Sequence, residues 1–241
     1  MKYYDKGIGK SLLLESVMHE RVMRFTDQQN EEGKDLSKPS FKWKCKMIRS
    51  GIPKEFWPIT FDNFWGNPTA VRLAQKYCRH LRLAREHGFG FLFMGSNGRG
   101  KTSLEMVILK EALKQGYSAF YITMPMIFKQ IYQSYNFPEL GRELKHIIET
   151  VDFLAIGELG KDYHRKDSEE FARCEFDVLF RSRREQCLPV LMDTNMDDSE
   201  LVDTYGESLM SLFHSRLKFI EMKGIDYRKK IQKQEWEKII R

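Results

Sequence analysis

Apolar positions along the chain follow two alternating rhythms. The first is a set of short runs: Phe91–Met94, Ser118–Thr123, Asp152–Ile156, Pro189–Met192 and Leu217–Met222. Runs of this length, apolar at consecutive positions, predict strands covered on both faces. Between them, apolar residues recur at helical spacing. Examples are Val71, Ala74, Cys78 and Leu81, then Leu104, Val107, Ile108 and Leu113, then Phe171, Cys174, Val178 and Leu179. Further helices are predicted over Ile127–Tyr135, Leu140–Thr150, Ser199–Thr204, Glu207–Arg216 and the basic tail Arg228–Arg241. The punctuation agrees: Pro68 opens a helix and Gly88 closes it, Gly116 stops another, and Asp167 with Glu170 forms a capping box. Strands alternating with helices predict a three-layer α/β domain on a mostly parallel five-stranded sheet. Ligands in such sheets sit at the carboxyl ends of the strands, where Gly95, Glu158 and Asn195 fall.

Residues 1–50 read as a module apart from the domain at 51–241. Leu13, Val17, Val22 and Phe25 give an amphipathic helix over Leu12–Phe25. Residues 27–40 are polar and aperiodic, which predicts a linker. A helical arm on a tether would serve to bind a partner; a disordered tail with a stray helix has the same composition. Residues 51–66 are rich in aromatics and proline, suited to covering a nucleotide base or to packing on the sheet.

The chemistry concentrates at Gly95-Ser96-Asn97-Gly98-Arg99-Gly100-Lys101-Thr102-Ser103. This is a complete phosphate-binding loop, placed after a predicted strand and before a predicted helix. Its glycines allow backbone N–H groups to turn around phosphate oxygens, and the helix adds its positive end. Lys101 is placed for the outer phosphates and the Thr102 hydroxyl for Mg2+. Gly9-Lys10-Ser11 mimics this motif, but Tyr4 stands where its first glycine would be and no strand precedes it.

Composition narrows the class. Of 241 residues 41% are hydrophobic, enough for one full α/β domain with an appendage. No apolar run approaches the roughly 20 residues that span a bilayer, and the first five residues are too polar for a signal peptide. Cys45, Cys78, Cys174 and Cys187 stand apart, so free thiols in a reducing cytoplasm are expected, without zinc. The net charge of +6 points to a polyanionic partner, nucleic acid above all.

The order of these parts resembles the AAA+ ATPases of the DnaC/IstB type over about residues 51–230. Gly51–Pro53 followed by Thr60–Phe64 is similar to the family's lead-in. Tyr121–Thr123 is similar to its second strand, and Val151–Gly160 to its second nucleotide motif. Thr194 and Asn195 match the run to sensor 1, Ser215–Leu217 the arginine-finger segment, and Gly224–Arg228 the sensor 2 segment. The resemblance implies ATP and Mg2+ as ligands. It implies that Glu158 polarises the attacking water, that Asn195 helps hold it, and that Arg228 contacts the phosphates in the same subunit. It also implies that Arg216 acts in trans on a neighbouring subunit, and so a homo-oligomer.

One position departs from the pattern. The family places an acidic pair after the apolar strand, and here the first of the two is Gly157. A glycine offers the metal no carboxylate, so hydrolysis is expected to suffer more than binding. Asp193, expected on the strand next door, is a candidate substitute. The resemblance implies three functions: a helicase loader that grips the replicative helicase through its arm and engages single-stranded DNA, a transposition helper partnered with a transposase, or an ATP-binding switch with little hydrolysis. Candidate DNA contacts are Lys161, Arg165 and Lys166, with Lys129, Arg142 and Lys145; Tyr132 and Tyr163 are candidates for stacking on bases.

Overall fold

A computed structural model describes residues 14–32, 34–36, 38–160 and 166–240. Helices α1 (Leu14–Glu31) and α2 (Pro39–Arg49) precede a short 3-10 turn at Lys54–Phe56, then α3 (Pro68–Arg79), α4 (Leu81–His87) and β1 (Gly90–Met94). The chain continues through α5 (Lys101–Lys114), β2 (Ala119–Thr123), α6 (Met124–Ser134), α7 (Pro138–Thr150) and β3 (Phe153–Leu159). It ends with α8 (Lys166–Glu185), β4 (Val190–Thr194), α9 (Asp198–Arg216), β5 (Leu217–Glu221) and α10 (Tyr227–Ile239).

The five strands form one sheet in the order β2-β3-β4-β1-β5, every pair parallel. Alternate strand residues feed two cores, which is why the runs are apolar throughout. Phe91, Phe93, Leu191, Phe153 and Ala155 face α3, α4 and α5, with Ala70, Ala74, Leu81, Leu104 and Ile108. Leu92, Met192, Leu154 and Ile156 face α6 to α9, with Ile127, Leu144, Phe176 and Phe213. Helix α5 is buried on most sides, from Leu104 to Leu113. It therefore has little freedom to move relative to the strand that leads into it.

Three expectations are corrected. The helix expected from Pro68 to Gly88 breaks at His80 (φ −124°, ψ 31°), and its second piece ends at Gly88 in the left-handed region, φ 68°. The linker expected over 27–40 is shorter than that, since α1 runs to Glu31 and α2 begins at Pro39. Polar surface without period had hidden a helix whose buried contacts are few. Those contacts are Val22 and Phe25 against Cys45 and Ile48, with the Phe25 and Phe41 rings stacked at 5.6 Å. The segment also touches the body: Met18 joins the core of the α6–α9 face, Lys46 donates to the Leu113 carbonyl at 2.8 Å, and the Tyr121 amide donates to the Ser50 carbonyl at 2.9 Å. Third, β3 does not stop at Gly157 and Glu158 but continues to Leu159 through a bulge between Ile156 and Leu159. The two helices expected over Ser199–Thr204 and Glu207–Arg216 are found on either side of Gly206, whose φ of 77° and ψ of 157° break the helix between them within α9. The side chains of the Asp167–Glu170 capping box and Gly9–Ser11 lie outside the described residues.

Candidate functional site

The phosphate-loop motif occupies the turn from β1 into α5. Gly95, Gly98 and Gly100 all have positive φ, at 130°, 75° and 84°. The tightest is Gly98, where an added Cβ would lie 1.9 Å from Asp226 Oδ1. Asp226 caps α10 by accepting from the Arg228 amide at 2.9 Å, and the Tyr227 amide donates to the Gly98 carbonyl at 2.9 Å. The loop is thereby braced by the start of α10, which sets the Arg228 backbone beside it. Within the loop, Arg99 Nε donates to Ser96 Oγ at 2.9 Å. The Phe64 ring comes within 3.1 Å of a Cβ placed on Gly100, so part of the aromatic lead-in packs on the loop.

Two bonded pairs join the loop to β4. Lys101 is buried, and its Nζ donates to the Gly95 carbonyl at 2.5 Å, the Ser96 carbonyl at 3.0 Å and Asn195 Oδ1 at 2.8 Å. Asn195 Nδ2 in turn donates to Asn97 Oδ1 at 3.0 Å. One residue on, Thr102 Oγ1 donates to Asp193 Oδ2 at 2.7 Å, while Asp193 Oδ1 accepts from the Glu158 amide at 3.1 Å. Glu158 has φ 62°, unusual for a residue with a Cβ, and sits in the β3 bulge. Bulges re-aim side chains next to sites. Lys101, Thr102, Glu158, Asp193 and Asn195 thus converge at the carboxyl ends of β1, β3 and β4, as expected for ligand sites in parallel sheets.

Two residues of this site were not singled out from the sequence. Glu105 lies one turn after Thr102 on α5, fully buried and against the Asp193 carboxyl, with no N–H or hydroxyl donor on either of its oxygens. Burial first, and then the Asp193 carboxylate, push its pKa well above the usual carboxylate range. The spacing of three from Thr102 was the available signal, since it puts both side chains on one helix face. The other is Tyr121 on β2. A Cβ built on Gly157 would lie 2.5 Å from Tyr121 Oη and 3.0 Å from its Cε2. Burial, followed by the charges of Glu105 and Asp193, raises the tyrosine pKa. Tyr121 therefore fills the space a side chain at 157 would take.

The donor set suits Mg2+, a hard cation that takes oxygen ligands and keeps several waters. A threonine hydroxyl, the Asp193 carboxylate bonded to it and the buried Glu105 carboxyl beside that carboxylate are all oxygen donors on one side of the loop.

Other expected residues lie elsewhere. Arg216 closes α9 at the amino-terminal end of β5; Leu217 pairs with Gly90, the first residue of β1. Its guanidinium donates to the His87 carbonyl and lies 6.0 Å from the centre of the Phe89 ring. The five residues of β1, about 16 Å of strand, separate it from Gly95 of its own loop. Lys161, Tyr163 and Arg165 lie outside the described residues, as does the side chain of Lys166. Lys145 is 3.9 Å from Glu149, a solvated pair one turn apart. Tyr132 is partly buried and packs against the core of the α6–α9 face. The four cysteines are free, Cys45 and Cys78 buried. No described helix is long and apolar enough to cross a membrane.

No protein-family profile matches the chain. It is 29% identical over 143 residues to the insertion sequence IS5376 putative ATP-binding protein of Geobacillus stearothermophilus, covering 57% of this chain and 54% of that one. The chain thus spans about half the length of that relative. It is 26% identical over 178 residues to the replicative helicase loader DnaC of Escherichia coli, covering 71% of this chain and 69% of the loader. Among solved structures, a DnaC helicase loader superposes with a TM-score of 0.60 at 18% identity, over 71% of this chain and all of that one (100%). The replication initiator DnaA bound to AMPPCP and single-stranded DNA superposes with a TM-score of 0.59 at 21% identity, over 77% of this chain and 56% of DnaA. In sequence the chain is similar to proteins of the DnaC/IstB type, and its fold is the α/β P-loop fold of their AAA+ domains.

Proposed function

We propose that this chain is an ATP-dependent DNA-transaction helper that binds ATP with Mg2+ at the β1–α5 loop and hydrolyses it between subunits. The observation that carries the reading is the pair of bonds Lys101–Asn195 and Thr102–Asp193, which ties the phosphate loop to the strand tip beside it. Three loop glycines leave room for phosphate against their amides, and Lys101 exchanges its carbonyl partners for phosphate oxygens. Once Lys101 turns to phosphate, Asn195 Oδ1 is released to accept from a water while its Nδ2 stays on Asn97. Glu158, on the bulged strand tip, takes the role of polarising that water. Thr102 and Asp193 hold the metal end of the site, and the cation supplies charge neutralisation for the phosphoryl group. Arg216 serves a neighbouring protomer's site, and Arg228, at the start of α10, serves its own.

Direct titration of the purified chain with a fluorescent ATP analogue tests the reading. Lys101→Ala removes charge-assisted bonds to phosphate, so affinity should fall about tenfold to a hundredfold. If the parent chain shows no saturable affinity for adenine nucleotide, the reading fails.

Two partner assignments follow from the relatives. The replicative helicase is supported by the match to a DnaC loader, and the AMPPCP and single-stranded DNA bound by the DnaA neighbour support a nucleotide- and DNA-dependent role. A transposase is supported by the match to an insertion-sequence ATP-binding protein. Retention of purified helicase or of purified transposase on the immobilised full chain separates the two. Single-stranded DNA contact is assigned to Lys161 and Arg165, directly after the Glu158 strand.

A further inference from the structure

We infer that Glu105, together with Asp193, anchors the divalent cation in place of the carboxylate missing at Gly157. The inference rests on the reading of Thr102 and Asp193 as the metal end of the nucleotide site and deepens it.

Three observations converge. First, Glu105 is fully buried, with the Asp193 carboxyl beside it and no N–H or hydroxyl donor on either of its oxygens. Two carboxyls held together out of water are costly, and a cation between them would offset that cost. Leucine or methionine at this position of α5 would pack with Leu104, Met106 and Ile108 at no such cost. Second, Glu105 stands one turn from Thr102 and beside Asp193, whose other oxygen is committed to the Thr102 hydroxyl. A cation on that hydroxyl has both carboxyls within its first or second layer of ligands. Third, Tyr121 occupies the space beside Gly157, with its Oη 2.5 Å from where a Cβ would begin. The usual anchor is thus absent, and its room is taken by a hydroxyl that faces the same two carboxyls. The negative charge has moved from β3 to its neighbours, β4 and α5, on the same face of the sheet.

The chemistry predicts two carboxyls where one strand acid would ordinarily serve. Neither lies on β3, so the Glu158 bulge is left to aim one side chain at water alone.

Mn2+ binding, read by electron paramagnetic resonance in the presence of a non-hydrolysable ATP analogue, tests this without reference to turnover. Glu105→Gln keeps the volume and removes the charge. Loss of a ligand-shell carboxylate should weaken Mn2+ about tenfold to a hundredfold, and Glu105→Asp should recover part of the loss. Asp193→Asn, which leaves Glu105 in place, should weaken it as well and serves if Glu105→Gln does not fold. Unchanged Mn2+ affinity in Glu105→Gln, or in Asp193→Asn where it substitutes, overturns the inference while leaving nucleotide binding by the parent standing. A parent chain that binds no adenine nucleotide, with or without Mn2+, overturns both.

Discussion

At Glu158 a side chain proposed for catalysis is held on a backbone that disfavours it. The left-handed conformation costs about 1–2 kcal/mol for a residue with a Cβ. Glycine removes that cost but loses about 0.5–1 kcal/mol to greater freedom in the unfolded chain. The first effect is the larger, so Glu158→Gly should raise stability by up to about 1 kcal/mol, read from the urea midpoint, while ATP turnover collapses. A variant that is less stable than the parent would show that the φ of 62° is not a strained conformation here. Glu158 itself was readable from the sequence as an acid after an apolar strand; its strain was not, because positive φ there comes from the bulge against β4.

Between elements, much of the order rests on a residue the sequence did not single out. Arg183 on α8 is buried, and its guanidinium donates to the carbonyls of Ile148, Val151, Asp152 and Pro189, at 2.9, 3.2 and 2.7 Å for the last three. It thereby joins the end of α7 to the starts of β3 and β4. Burial, and then the like charge of Arg85, lower its pKa to about 9. Arg183→Leu keeps the apolar packing and leaves four carbonyls without their donor, so stability should drop by roughly 3 kcal/mol or more. Equal urea midpoints for parent and variant would mean that water satisfies those carbonyls as well as the arginine does. In the sequence, Arg183 is one basic residue in Arg181-Ser182-Arg183-Arg184, and nothing local separates the buried one from its exposed neighbour Arg184.

Across the whole molecule, the two ends of the sheet have different work. The proposed nucleotide site lies at the carboxyl end, and Arg216 stands about 16 Å away at the other, too far to serve its own loop. If it acts, it acts on another copy. Mixing Arg216→Ala with Lys101→Ala, each inactive alone, should then restore part of the ATP turnover, because a mixed interface pairs an intact loop with an intact arginine. A mixture as silent as its components would assign Arg216 to the contact it makes with His87 and Phe89 in its own chain.

The alternation of strands and helices, the complete phosphate loop and the Gly157 departure were determined by residues close together in the chain. Backbone periodicity and turn chemistry are local, so a linear reading suffices for them. Asp193 was a candidate substitute from its place after a predicted strand, but the position of Glu105 beside it was decided only by tertiary structure. Parallel pairing inserts β4 between β1 and β3, bringing Asp193 to Thr102 across 91 positions of sequence, and α5 turns Glu105 onto the same face. The register of β2 on β3 sets Tyr121 against Gly157. The second N-terminal helix follows the same logic: α1 was readable in part from its own period, but α2 packs on it through Cys45 and Ile48 against Val22 and Phe25.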